Sequence, residues 1–280
     1  MSKTNPLVSI NIPTMNSERT IKKTLESIKR QSYPNYEIII IDKNSSDDTL
    51  KIVKKFNCKI FNDERKLLGA RYLGVTKSSG EFIILLDSDQ ILDKNSIENT
   101  LNLVKKNKWD MAFFEEDSYK PKTLAERLTS LDRRLTHKIK IVNPSESVLL
   151  PRFFKKNLLL TAFKKINPDL FNYITLQDHA IIYHECYKIS KKIGYVPKAV
   201  YHIELKTFRE LFSHYFYWGV KSADGINELP KEYADMFQNK LNKRSKSIGI
   251  SFESILVLPI IFVKGGGYYL GYFYTKLKRK

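Results

Sequence analysis

The chain is poor in cysteine, with Cys58 and Cys186 alone among 280 residues. Two thiols make neither a disulfide framework nor a zinc cluster. Cys58 precedes an expected strand and Cys186 lies on an expected helix, so both read as buried thiols suited to a reducing compartment. Long apolar runs are also missing: none reaches the ~20 residues that span a bilayer. The N-terminus is polar up to the first strand near Val8, with no apolar stretch resembling a signal peptide. Neither a dinucleotide-binding glycine fingerprint nor a Walker A loop occurs, which weakens readings as an NAD enzyme or a P-loop NTPase. There are no internal repeats and no low-complexity tracts. Acidic residues are in the minority, 30 against 48 lysines and arginines, a formal charge of +18. That excess favours anionic partners such as nucleoside diphosphates, acidic lipid headgroups or nucleic acid. The plainer alternative is a solvated basic surface.

What is present is a globular composition, 42% hydrophobic, arranged with a regular beat. Val8, Ile10 and Ile12 predict a strand. Asn16 or Ser17 is placed to cap a helix with the apolar face Ile21, Leu25 and Ile28, stopped by Tyr33-Pro34. Residues 37–41 are near-continuously apolar, as in a strand buried on both faces. Ser45, Ser46 and Asp47 offer a cap for a helix ending near Phe56. A short strand over 59–61, a helix over 67–77 closed by Ser78-Ser79-Gly80, a strand over 82–86, a helix from Ser96 and a strand over 111–114 complete the series. Beyond it, 122–141 is helical in pattern and 152–166 reads as strand or helix. Residues 178–191 form a helix with Gly194 past its end, 195–202 a strand near an edge because of Pro197, and 207–218 an aromatic-rich helix. Alternating strands and helices predict an α/β, Rossmann-like fold: a mostly parallel sheet with helices on both faces, followed by a C-terminal helical, amphipathic extension.

In such sheets ligands bind beyond the carboxyl ends of the strands. That rule selects residues 13–16, 42–48 and 87–89, three polar or acidic loops that follow apolar strands. Asp87-Ser88-Asp89 puts two carboxylates one residue apart at the end of a buried strand. Hard cations such as Mg²⁺ or Mn²⁺ take carboxylate oxygens together with nucleotide phosphates. The alternative is a solvated turn with an Asx bond to the backbone.

These pieces, in this order, resemble the family 2 glycosyltransferases of the GT-A fold. The resemblance runs from about Val8 to about Trp218. It is carried by Val8-Ser9-Ile10-Asn11-Ile12-Pro13-Thr14-Met15-Asn16, by Ile41-Asp42-Lys43-Asn44-Ser45-Ser46-Asp47-Asp48-Thr49, and by Gly69-Ala70-Arg71-Tyr72-Leu73-Gly74 leading through Ser79-Gly80-Glu81 into Leu86-Asp87-Ser88-Asp89. It implies that Pro13, Thr14 and Asn16 line a donor nucleotide and that Asp42 bonds the base. It implies further that Arg71 lies beside the base or diphosphate, that Asp87 contacts the ribose with Ser88 beside it, and that Asp89 ligates a divalent metal, Mn²⁺ or Mg²⁺. Without the resemblance, Asn16 is a helix cap, Asp42 a turn residue and Arg71 a surface ion pair. Leu176-Gln177-Asp178-His179 matches the stretch that holds the family's catalytic base, with Asp178 kept and Gln177 where Glu is usual. His202 corresponds to a position that can complete the metal or diphosphate site; its alternative is a histidine bonded at a strand end. The implied organisation is a nucleotide-sugar-binding half over 1–118, an acceptor-binding half over 119–220 and a basic, amphipathic extension over 221–280.

The implied reaction moves a single sugar from a UDP- or GDP-sugar to a glycan or lipid-linked acceptor, polyprenyl phosphate included, with inversion. Asp178 would take the proton of an acceptor hydroxyl. Toward the C-terminus, residues 255–263 are apolar, Gly265-Gly266-Gly267 breaks the run, and an aromatic stretch ends in Lys276-Leu277-Lys278-Arg279-Lys280. Aromatic and basic residues together suit a membrane interface. The expectation is a cytoplasmic protein in peripheral contact with an anionic membrane surface on its inner face. The competing expectation is a helix packed on the catalytic domain or on a second subunit of a homodimer. A nucleotidyltransferase would show a glycine-rich loop after the first strand, where this chain has Pro13-Thr14-Met15-Asn16-Ser17. A nucleic-acid binder would need a clustered basic face with stacking aromatics, and none is legible, so no nucleic-acid partner is expected.

Overall fold

The computed structural model describes residues 5–226, 229–237 and 252–278. The chain divides into two compact units. The first comprises Met1–Glu115 and Leu150–His202, the second Glu116–Leu149 and Ile203–Lys280. The divisions fall at 115/116, 149/150 and 202/203. The reason is strand pairing. The strands within 150–202 complete the sheet begun by the first 115 residues, so that stretch belongs to the first unit.

The first unit is built on an eight-stranded sheet: β1 (Val8–Thr14), β2 (Tyr36–Asp42), β3 (Lys59–Asn62), β4 (Phe82–Leu85), β5 (Gln90–Leu92), β6 (Met111–Ser118), β7 (Pro151–Lys155) and β8 (Ile193–His202). Their spatial order is β3-β2-β1-β4-β7-β6-β8-β5. Pairing is parallel from β3 through β2 and β1 to β4. It is antiparallel where β7 meets β4 and β6 and where β5 meets β8. The expected parallel arrangement thus describes the first four strands. A parallel neighbour needs a crossover that returns the chain to the same end of the sheet, whereas Pro151 re-enters at the carboxyl end of β4 and runs back along it.

Strand side chains alternate between the faces, and here both faces are covered. Ile10, Ile12, Ile38, Ile40 and Ile84 pack with Ile21, Leu25 and Ile28 of α1 (Ile21–Lys29) and with Ile97 and Val104 of α4 (Ser96–Asn107). Ile39 and Ile41 point the other way, onto Ala70 and Leu73 of α3 (Leu67–Lys77). Each such buried isoleucine contributes about 1.5–3 kcal/mol. α2 (Thr49–Val53) joins α1, while α6 (Lys156–Phe163) and α7 (Asp178–Ile189) complete this unit. Residues 151–163 are thus a strand followed directly by a helix. Gly194 is not a helix terminator. It lies in β8, where a Cβ would sit 2.0 Å from the Trp109 ring, so glycine lets the indole rest on the strand.

In the second unit, α5 (Leu124–Lys138) opens with a capping box between Thr123 and Glu126. Its leucines pack with Leu211 of α8 (Phe208–Ile226), with Val257 and with Ile260 of α11 (Leu258–Lys278). A helix α9 covers 231–237, and α10 is Phe252–Leu256. The glycines at 265–267 do not break α11, which is continuous through them. Two of its glycines serve helix packing. A Cβ on Gly267 would meet the Phe212 carbonyl at 2.6 Å, and one on Gly271 the Phe216 carbonyl at 2.0 Å. No described helix is long and apolar enough to cross a membrane. Arg279 and Lys280 lie outside the described residues.

Candidate active site

The carboxyl ends of β1 and β2 are stitched together by side chains. Their register pairs Pro13 with Ile41 and Thr14 with Asp42. The Thr14 hydroxyl donates to Asp42 Oδ1 at 2.8 Å, and the Ser45 hydroxyl reaches the same oxygen at 2.7 Å. Asp42 Oδ2 accepts the Ser45 N–H, so this buried carboxylate is held on both oxygens. Asn16 and Asn44 take left-handed backbone angles, φ 50° and 47°, which asparagine tolerates better than most residues. Asn16 does not cap α1. Its Oδ1 accepts the Ser46 N–H at 2.9 Å, its own N–H donates to Ser45 Oγ, and Thr20 occupies the cap position. Ser17 also looks away from the helix: its N–H donates to Thr49 Oγ1, and its hydroxyl lies 2.9 Å from that of Ser88. The loops after β1, β2 and β4 are thereby fixed to one another.

Beside them lies a charged cluster. Arg71, on α3, has no exposed side-chain surface. Its Nε donates to Asp178 Oδ2 at 3.2 Å, one terminal nitrogen to the Leu86 carbonyl at 2.9 Å, and the other to Asp87 Oδ1. Asp87 Oδ2 accepts from Arg152 at 2.8 Å. The Arg152 nitrogen also lies 3.0 Å from His179 Nε2. Burial alone would raise Asp87, but the charges of Arg152 and Arg71 outweigh it and hold the carboxyl well below the usual range. Asp178, at the start of α7, goes the other way. Burial raises it, with the charge of Asp87 adding to the rise, and Arg71 only partly offsets them.

Arg71 is therefore not a surface ion pair: its enclosed guanidinium bonds Asp178, Asp87 and the Leu86 carbonyl. Residues outside the predicted set join the cluster: Arg152, His179, and Gln90 of β5. Register explains the first. β7 pairs Ile84 with Phe153, and extending that ladder by one step places Arg152 beside the end of β4. Its signal in the sequence is a lone cation inside the run Leu149-Leu150-Pro151-Arg152-Phe153-Phe154, since a buried charge demands a partner.

Gln90 links the acidic turn to His202. Its Oε1 accepts the Asp87 N–H at 2.9 Å, and its Nε2 lies 2.9 Å from His202 Nε2. The two residues are register partners across β5 and β8. With the amide oxygen committed to Asp87, the amide donates, and His202 Nε2 accepts. Asp89 sits half-buried in the turn between β4 and β5. Among the described residues no three Asp, Glu, His or Cys ligand atoms converge within 4.8 Å at this end of the sheet. A cation held here would therefore take most of its ligands from phosphate oxygens and water.

Comparison with known proteins agrees with this architecture. The family described as Glycosyl transferase family 2 matches residues 9–166. The chain is 38% identical over 111 residues, 36% of its length, to the Escherichia coli UDP-Glc:alpha-D-GlcNAc-diphosphoundecaprenol beta-1,3-glucosyltransferase WfgD, and spans 42% of that protein. It is 25% identical over 211 residues to the Streptococcus pneumoniae serotype 4 glycosyltransferase GlyG, covering 70% of this chain and 69% of the other. In fold it is similar to the mannosyltransferase PcManGT of Pyrobaculum calidifontis, solved in complex with GDP-Man and Mn²⁺. The TM-score is 0.62 at 13% identity, over 99% of this chain and 89% of that one.

Proposed function

Since the chain belongs to glycosyl transferase family 2, we propose that it transfers one sugar from a UDP- or GDP-sugar to a hydroxyl of a glycan or lipid-linked acceptor, with inversion. The observation that carries this reading is the bond from Arg71 to both Asp87 and Asp178. It ties the acid expected at the donor to the acid expected at the acceptor. The relatives support it: WfgD is named for UDP-Glc and a diphosphoundecaprenol-linked acceptor, and PcManGT was solved with GDP-Man.

Thr14 and Asn16 keep the first loop in place beside Pro13, and Asp42 turns its remaining lone pairs to the base. Asp87, anchored by two arginines, and Ser88, set against Ser17, hold the ribose side of the donor. Asp89 and His202 would hold Mn²⁺ or Mg²⁺, which would neutralise charge on a departing diphosphate. Asp178 accepts the proton of the acceptor hydroxyl, which attacks the anomeric carbon as the bond to the diphosphate breaks. A carboxyl raised by burial is the stronger base for that step. A phosphate acceptor is already ionised and needs no base, so dependence on Asp178 separates the two acceptor classes.

The test is a panel of UDP-, GDP- and dTDP-sugars with Mn²⁺ or Mg²⁺, scored for thermal shift, donor hydrolysis and anomeric configuration of the product. Stabilisation by one donor class with inverted product supports the reading. Absence of any donor effect overturns it.

A further inference from the structure

Helix α11 presents two opposite faces. Ile260, Gly267, Gly271 and Thr275 are buried, and Gly267 and Gly271 lie against the backbone of α8. At 100° per residue, those four positions fall on one side. Phe262, Tyr269, Leu270, Phe273 and Leu277 fall on the other, and all five are exposed, Phe262 at 74% and Leu277 at 73%. They form a stripe about 22 Å long at 1.5 Å rise per residue. Exposed Phe252, Ile255 and Leu256 of α10 immediately precede it in the chain. Isolated exposed apolar residues are ordinary, but a continuous stripe marks an interaction surface.

Charge decides what the stripe meets. No acidic residue follows Glu253, whereas Lys264, Lys276, Lys278, Arg279 and Lys280 do. Lys264 is taken up by Asp132 at 2.7 Å. Lys276 and Lys278 stand over the rings of Tyr272 and Tyr274, 5.0 and 4.8 Å from their centroids. This is an apolar stripe edged by tyrosines and lysines, the composition of a helix lying in a bilayer interface. A second copy of the chain fits it poorly. A two-fold axis sets a patch against itself, which would bring these cations together with no acid to answer them.

We propose that the outer face of α11 docks on an anionic bilayer surface, with Phe262, Leu270, Phe273 and Leu277 entering the acyl boundary and Lys276 at the headgroups. This inference is independent of the transfer reaction and stands or falls by a separate measurement. The full chain is sedimented with vesicles of phosphatidylcholine alone or mixed with phosphatidylglycerol, alongside the variants Leu270→Glu and Phe273→Glu. Near-ultraviolet circular dichroism checks that each variant keeps its fold, and the milder Phe273→Ser replaces any that does not. The expected result is binding to the phosphatidylglycerol vesicles, weakened by high salt and reduced at least about tenfold by each substitution. Three results would overturn the proposal: no vesicle binding, equal binding by the folded variants, or a wild-type dimer that the substitutions dissociate in the absence of lipid.

Discussion

Arg71 and Asp178, 107 residues apart in sequence, meet through Nε and Oδ2 at 3.2 Å inside the first unit. The same guanidinium reaches Asp87 and the Leu86 carbonyl. One side chain therefore sets the spacing between the end of β4 and the start of α7. Removing one member of a buried pair leaves an uncompensated charge and costs about 3–5 kcal/mol. Arg71→Ala should lower stability by that order, read by urea unfolding. Arg71→Lys keeps the charge but not the planar fork, so it should recover only part of the stability and little transfer activity.

Asp178→Asn should reduce transfer to a hydroxyl acceptor by about 10²–10⁴-fold, the range for a general base, while donor binding by calorimetry is unchanged. The wild-type pH–rate profile should lose activity as pH falls through a value above the usual carboxylate range, because Asp178 is raised by burial and works only when ionised. An acid limb at an ordinary carboxylate value, or one unchanged in the variant, would remove Asp178 from the role.

Asp87 is depressed, so its sign in stability is opposite to that of a raised acid. Its contribution is fully present above the unfolded carboxylate value of about 3.9 and is lost as pH falls from there toward the folded value. Unfolding measured from neutral to acid pH should show wild type losing more stability below about pH 4 than Asp87→Asn does. Arg152→Met, which removes the largest lowering charge, should shrink the same acid loss.

The glycines of α11 should divide by surroundings. A Cβ on Gly265 or Gly266 meets nothing within 4 Å, so alanine there should stabilise the helix by roughly 0.5–1 kcal/mol. A Cβ on Gly271 would sit 2.0 Å from a backbone carbonyl of α8, and alanine there should cost about 1–3 kcal/mol. Thermal midpoints of the variants check both directions.

Much of the first unit is legible in sequence because its strands are apolar runs closed by distinctive turns, and α3 falls where its periodicity places it. Three features were less accessible. The direction of β7 depends on where the chain re-enters the sheet, which no local pattern encodes. β5 has only three residues, too few for periodicity to register. The loop after β1 is shaped by partners about 30 residues away, so Asn16 and Ser17 look like local caps until those partners are known. At the candidate site, the acids on strand ends stand out because polarity interrupts apolar runs there. Arg71, Arg152 and Gln90 act through buried long-range bonds, and their significance emerges only once the sheet is assembled.

The account rests on Asp89 and the loops after β1, β2 and β4 gripping a cation-bound nucleoside diphosphate. Calorimetric titration of UDP and GDP into wild type and Asp89→Asn, with and without Mn²⁺, tests this most directly. The account predicts that one nucleotide binds wild type in a Mn²⁺-dependent way and at least about tenfold more weakly in Asp89→Asn. Equal binding with and without the cation, or binding unaffected by the substitution, would contradict it.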